Sequence, residues 1–280
     1  MGLSANWQQE VLSMLAEFDE QVNLHWDQEQ QIIEFGERFA IHLVALSTKF
    51  STDQLIEKQI AYQQQGKLLV QLWEDVWLGR KAQVINRMSS FVGLNITLHA
   101  RKGKIKEIDP QLTANFLDQY HLQGFVKAKY NYGFYIDSVL YAVASFSSAR
   151  QMKRKEANYM SAELVRFASK SGYTITGGLS KFIKHFVKQV EVKDIMSYAD
   201  REWSLGMGYD RSGFQLTATT APAYLYVDTE KLIRYFPHRL PKAILLGFNA
   251  QNELNLDDYL LGHGFKKVFN TGNLKYHLYL

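Results

Sequence analysis

The chain of 280 residues contains no cysteine. That absence excludes disulfides, thiolate nucleophiles and cysteine-ligated zinc or iron–sulfur sites, and it makes a reducing cytoplasm the expected compartment. No apolar run reaches the roughly eighteen residues of a membrane span, so no membrane partner is expected. The stretch Met1 to Gln21 has neither the basic start nor the apolar core of a secretion signal. Met1-Gly2 is followed by Asn6 where a myristoylation signal carries Ser or Thr. A G-x-S-x-G nucleophile elbow is missing too. Eight histidines are dispersed: His121, His238 and His263 lack metal spacing, and His42, on an apolar strand, reads as a satisfied core residue. There is no internal repeat and no low-complexity tract.

What is present is apolar content of 46%, enough for one large or two small domains. The net charge of +4 is unevenly spread, because residues 1–60 hold three basic against ten acidic side chains and the remainder carries +11. Basic residues recur in bursts: Arg101, Lys102, Lys104 and Lys106; Lys127 and Lys129; Arg150 with Lys153, Arg154 and Lys155; Arg234, Arg239 and Lys242. Tyr130, Tyr132, Tyr135 and Tyr159 lie among them. Solvated faces over a tyrosine-rich core and a nucleic-acid surface both account for this pattern.

Trp7, Val11, Met14, Leu15, Phe18 and Val22 recur at helical spacing and predict an amphipathic helix over 7–22. The runs IIEF and FAIHLVAL predict strands around Gly36, a helix is expected over 53–65 with Gly66 as its stop, and LLVQLW reads as a buried strand. A further helix is expected over 77–91, and 93–106 reads as a linker. Next come a strand from Ile105, a helix over 110–120 and a hairpin turning at Asp137-Ser138. Residues 215–228 read as a strand pair broken at Pro222, and Thr271-Gly272-Asn273 as a turn between two closing strands.

The run from Glu163 to Phe214 carries the candidate chemistry. Between the strand ELVRFA and the helix LSKFIKHFVKQ stands Thr174-Ile-Thr176-Gly177-Gly178-Leu-Ser180, where backbone amides and a helix N-terminus converge as in an anion site. Ser180 and Lys181 add a hydroxyl and a positive charge, while a plain strand-to-helix connection is the alternative. The strand DIMSYAD ends at Asp200, and Tyr209 opens a short helix beyond it. A tyrosine there can protonate a departing thiolate and Asp200 can accept a proton from an amine; equally, Tyr209 can pack in the core and Asp200 can cap the helix.

On these motifs, ELVRFA, TITGGLSK and GYDRSGF, the stretch from Tyr132 to Val227 resembles the GNAT acyltransferase superfamily, and within it the phage DNA-modification proteins of the Mom type, through Ser180, Asp200 and Tyr209. Thr174, Gly177 and Gly178 stand where the superfamily loop begins with Gln or Arg before Gly-x-Gly/Ala. The resemblance implies acetyl-CoA or a related acyl donor on Thr176, Gly177, Gly178, Ser180 and Lys181, with Asp200, Tyr209 and Ser180 as catalytic residues. It implies hypermodification of adenine in duplex DNA, held by Arg101, Lys102, Lys104, Arg150, Lys153, Arg154, Lys155 and Arg239, with a flipped base stacked on Tyr130, Tyr132 or Trp203.

The stretches WEDVW and ARKGKIKEID resemble phage and mobile-element proteins that join a very-short-patch-repair-type nuclease unit to such a domain. Glu34, Glu74 and Asp75 are the candidate nuclease acids; His25 stands where an acid is expected, and Glu74 and Asp75 read more simply as a solvated strand end. The expected class is therefore α/β (α+β): a degenerate nuclease-like α/β unit over 1–98, then a GNAT-like mixed-sheet domain with a C-terminal extension over 99–280. The implied function is DNA base modification by a cytoplasmic protein that forms a homodimer. A non-catalytic DNA-binding or assembly protein, or a homing-type endonuclease, is the alternative.

Overall fold

The computed structural model describes residues 6–18, 24–35, 38–153, 158–250 and 254–280. In chain order the elements are α1 (Trp7–Ala16), β1 (Leu24–Asp27), β2 (Ile32–Phe35), β3 (Phe39–Val44), α2 (Thr52–Gln64), β4 (Leu68–Trp73) and α3 (Glu74–Phe91). They continue with β5 (Ile96–His99), β6 (Lys104–Glu107), α4 (Pro110–Tyr120), β7 (Tyr130–Ile136), β8 (Val139–Phe146), β9 (Arg150–Gln151) and β10 (Met160–Ser169). Then come β11 (Tyr173–Thr176), α5 (Gly178–Phe186), β12 (Asp194–Asp200), α6 (Met207–Asp210) and β13 (Gln215–Thr219). The chain closes with β14 (Ala223–Asp228), β15 (Ile233–Tyr235), α7 (Lys242–Asn249), α8 (Leu256–Gly262), β16 (Phe265–Asn270) and β17 (Asn273–Tyr279). The α/β class is as expected. Among the described residues no helix is long and apolar enough to cross a membrane.

The sequence reading divides the chain between residues 98 and 99. Packing divides it between Lys81 and Ala82, and then threads it back: one compact unit comprises 1–81, 200–204 and 220–273, the other 82–199, 205–219 and 274–280. Arg80, at φ −139°, interrupts α3 at that boundary.

In the first unit, β1 to β4 form a sheet in sequence order. β3 and β4 are parallel and buried at every position, which is why FAIHLV and LLVQLW read as almost unbroken apolar runs. Ser51 and Gln54 close a capping box on α2, and Gly66 at φ +74° ends the turn after it. A second sheet, β15-β14-β16, packs Leu225, Val227 and Val268 against Val44, Leu55 and Trp73.

The second unit is built on a mixed sheet of order β13-β17-β12-β10-β8-β7-β6, with β9 paired to β10. The β7–β8 hairpin turns at Asp137 (φ +45°) and Ser138 (φ +68°), the left-handed pair that matches strand twist in a two-residue turn. Asp109 caps α4 by accepting from the Leu112 amide at 2.8 Å, with Pro110 in the first turn. α5 covers one face through Phe182, Ile183 and Phe186, and Phe186 stacks on Phe146 at 4.3 Å.

Four expectations are corrected. Residues 93–106 are not a linker: β5 lies parallel to β11, with Thr97 opposite Thr174 and His99 opposite Thr176. β13 and β14 do not pair with each other, nor do β16 and β17. β13 joins β17 and β14 joins β16, so both chain segments change sheets together at 220–222 and 271–272. Thr220 and Asn273 hold that crossing, the Asn273 amide donating to Thr220 Oγ1 at 2.8 Å and the Thr220 amide to the Asn273 carbonyl at 2.8 Å. The expected helix over 7–22 ends at Ala16, with Glu17 and Phe18 in a turn; residues 19–22 and Gly36 lie outside the described residues.

Candidate active site

In the second unit β10 and β12 run parallel but pair over only three positions, Ser161 with Asp194, Ala162 with Ile195 and Glu163 with Met196. The paired end is clamped by the buried Asp194 carboxylate, which accepts from Tyr159 Oη at 2.7 Å and from Ser161 Oγ. Beyond it β10 follows β8, with a bulge between Leu164 and Arg166. A bulge raises local twist, so β10 turns away from β12 and a wedge opens between them. One side chain spans its apex: the buried Ser197 Oγ donates to the Leu164 carbonyl at 3.0 Å.

Ser197 Oγ is also 2.9 Å from the Tyr209 phenol oxygen. Since the single Ser197 proton goes to Leu164, Tyr209 is the donor in that second bond. Tyr209 lies on α6, stacked on Tyr276 at 5.0 Å and edge-on to Phe214 at 5.3 Å. Gly206 makes the stack fit: its φ is +82°, and a Cβ there would fall 1.8 Å from Tyr276 Oη. Burial pushes the Tyr209 phenol up, against the Ser197 hydrogen bond and the charges of Arg87 and Arg166, so it is a neutral proton donor near neutral pH.

Three charged side chains act on that phenol: Arg87 of α3, and Glu163 and Arg166 of β10. Glu163 stands at the last paired position, half-buried, and burial raises its pKa. Sequence reasoning missed all three, as well as Ser197. The available signal was a Glu and an Arg three positions apart inside the otherwise apolar strand ELVRFA.

The predicted anion turn is assembled as a group. Thr176 ends β11 and is exposed; Gly177 takes the left-handed conformation at φ +75° as the N-cap of α5; Gly178 and Ser180 fall in the first helical turn. No side chain caps α5. The amides of 178–180 have no partner among the described residues, and with the helix dipole they suit a diphosphate. Lys181 turns the other way. Its ammonium donates to the Ala100 carbonyl at 2.7 Å and to that of Gly103, tying the turn at 100–102 to α5.

The remaining predicted residues are dispersed. Asp200 ends β12 but packs with the first unit, where its Oδ1 accepts from the Glu202 amide at 3.0 Å. Arg101, Lys102, Lys104, Arg150 and Lys153 are exposed in the second unit and Arg239 is exposed in the first; Arg154 and Lys155 lie outside the described residues. Tyr132 and Trp203 are buried, at 1% and 6% exposure, which removes them as stacking platforms; Tyr130 is half-buried.

Glu74 and Asp75 are not a solvated strand end, since both are buried. Glu74 Oε2 accepts from the Leu46 amide at 3.0 Å, and Asp75 receives Arg234 in a two-point pair at 2.7 and 2.9 Å. Glu34 accepts from Tyr62 Oη at 3.0 Å and Lys67 Nζ at 3.3 Å. Among the described residues no group of carboxylates and histidines has the arrangement of a metal site. Glu202 is buried beside Asp75, Asp200 and Arg234 and accepts from Trp73 Nε1 at 3.1 Å; burial first, then the Asp200 charge, push it up to about 8. His42 is in the core as expected but is not satisfied: burial lowers it to about 4, and neither ring nitrogen has a hydrogen-bond partner among the described residues.

No protein-family model and no curated protein matches the sequence. Among solved structures, the chain is similar to an acetyltransferase of Bacillus subtilis in complex with CoA, at 13% identity and a TM-score of 0.34 over 64% of this chain and 99% of that one. An IAA acetyltransferase from Bacillus cereus gives 12% identity and a TM-score of 0.34 over the same shares. A probable N-acyltransferase from Enterococcus faecalis gives 18% and 0.32 over 46% of this chain and 35% of that one.

Proposed function

We propose that the second unit is an acyl-CoA-dependent N-acyltransferase. The observation that carries this reading is the wedge where β10 leaves β12 after Glu163, with the Tyr209 hydroxyl bonded across its apex through Ser197. The unpaired first-turn amides of α5, with Ser180 beside them, would hold the diphosphate of the donor.

An acyl-CoA supplies a thioester carbonyl open to attack by an amine. Glu163, whose raised pKa brings it nearer neutrality, takes the proton that the amine loses as the C–N bond forms. Tyr209, kept neutral by burial, gives its Oη proton to the sulfur as the C–S bond breaks. The site turns over with no redox partner. On the sequence resemblance, the acceptor would be a nucleobase amine of DNA from a phage or mobile element, with Arg101, Lys102, Lys104, Arg150 and Lys153 on phosphates. Asp200 would then act as a further proton acceptor.

One observation favours the non-catalytic reading. Lys181 gives its ammonium to two carbonyls instead of presenting it at the anion turn.

Native mass spectrometry of the purified protein with and without acetyl-CoA separates the two. A CoA adduct, with thiol release on adding an amine, supports the enzyme. A protein that ignores CoA yet shifts on duplex DNA overturns it.

A further inference from the structure

Of the sixteen tyrosines, fifteen set the ring against another ring or a cation, or the hydroxyl in a hydrogen bond. Tyr198 is the exception: among the described residues its side chain does neither. Its main chain is engaged at the wedge, where the Tyr198 carbonyl lies 3.5 Å from the Tyr209 phenol oxygen. β12 is an interior strand, between β10 and β17, yet Tyr198 is 39% exposed.

The register gives the reason. In the parallel ladder Glu163 stands opposite Met196, so a continued ladder would set Val165 opposite Tyr198. Val165 is the residue that the β10 bulge sets aside between Leu164 and Arg166. Tyr198 therefore loses its neighbour on that side, and its ring borders the opening. Residues opposite one another in a ladder share a face, as do residues two apart on a strand. Glu163, Met196 and Tyr198 thus lie on one face of the sheet, with Tyr198 about 7 Å along the strand from the row of Glu163. A lone phenol ring leaves apolar area in water. A flat ring laid on it removes that area, and stacking of a base on an aromatic side chain is worth about 5- to 100-fold in affinity.

We propose that Tyr198 is the stacking platform of the acceptor site: the acceptor carries a flat aromatic ring, and its amine, on the ring or a carbon or two from it, reaches Glu163. This rests on the acyltransferase reading for the fate of the amine and not for the binding of the ring. The consequence is a substrate class, aromatic amines in preference to aliphatic ones. A free arylamine or arylalkylamine and a base of a single nucleic-acid strand share that chemistry.

The test uses the full chain, with affinities from ligand-observed NMR titrations of 2-phenylethylamine and n-butylamine. The wild type is expected to bind the ring amine at least about tenfold more tightly, Tyr198→Ala to lose that advantage, and Tyr198→Phe to keep it, since stacking needs the ring and not the hydroxyl. Tyr198→Leu keeps apolar bulk without a ring. It should behave as the alanine variant, and it decides the matter should that variant fail to fold. Equal affinity for the two amines in the wild type overturns the platform, as does wild-type affinity for 2-phenylethylamine in Tyr198→Ala or Tyr198→Leu. Cytidine and a short oligo(dC) identify the source: a strand bound more tightly than the nucleoside, and weakened by salt, points to nucleic acid, whereas a strand bound no more tightly points to a free amine. Thiol release from acetyl-CoA separates the two ideas. Ring binding that depends on Tyr198, with no thiol release, leaves the platform and removes the acyltransferase; thiol release at the same KM for both amines does the reverse.

Discussion

Ser197 Oγ sits 2.9 Å from the Tyr209 phenol oxygen and, on its other side, 3.0 Å from the Leu164 carbonyl. The relay links three elements that meet nowhere in sequence: the bulged part of β10, the middle of β12 and the short α6. It orients the phenol proton at the apex of the wedge.

Tyr209→Phe keeps the ring stack on Tyr276 and removes only the proton. If Tyr209 protonates the leaving thiolate, the rate of thiol release should fall at least about 100-fold, the typical lower bound for a general acid. CoA affinity by calorimetry should stay within about threefold of wild type. Equal rates in the two proteins would leave Tyr209 a packing residue.

Asp75 and Arg234 form a two-point ion pair in which the carboxylate side chain is 2% exposed. Asp75→Ala leaves a half-buried guanidinium without its two-point partner and should cost about 3 kcal/mol in urea unfolding, the lower end for a broken buried pair. The double variant Asp75→Leu with Arg234→Met removes both charges and should recover most of that loss. A single-variant loss below about 1 kcal/mol would place the pair among weak surface contacts.

Glu202 makes stability depend on pH in an unusual direction. Below its ordinary 4.5 the carboxyl is protonated folded and unfolded alike; between 4.5 and about 8 the unfolded chain ionises while the folded one holds its proton. Stability should therefore fall as pH rises through that window and level off above it. His42 acts oppositely, neutral in the fold down to about 4 while the unfolded chain takes up a proton below 6.5, so stability is lost as pH falls from 6.5 to 4. Melting temperatures from pH 4 to 9 check this. Glu202→Gln should abolish the loss on the alkaline side and keep that on the acid side, and identical profiles would refute the assignment.

Gly206→Ala sets a methyl group where Tyr276 Oη now lies, at a backbone angle that side chains rarely adopt. The variant should lose about 2 kcal/mol or more, and near-ultraviolet circular dichroism should report the displaced tyrosine stack. A melting temperature unchanged from wild type would mean that the stack does not fill this space.

Local chemistry made much of this protein legible in its sequence. Asp109-Pro110 marks the start of α4, Asp137-Ser138 the β7–β8 turn, and LLVQLW the buried β4, because caps, left-handed turn residues and apolar period act over a few neighbours. The glycine turn before α5 was visible for the same reason. Pairing partners were not. Nothing in the spacing of 215–228 says that β13 and β14 belong to different sheets, or that β5 lies beside β11. Solvation was also hidden: Glu74 and Asp75 look solvated in sequence, yet both are buried, Glu74 against the Leu46 amide and Asp75 against Arg234. So the sequence by itself determined many of the elements, several of their caps and turns, and the glycine turn before α5. Tertiary structure alone decided the wedge and brought Arg87, Glu163, Arg166 and Ser197 to Tyr209, since those contacts join residues from 12 to 122 positions apart, and no local rule specifies them.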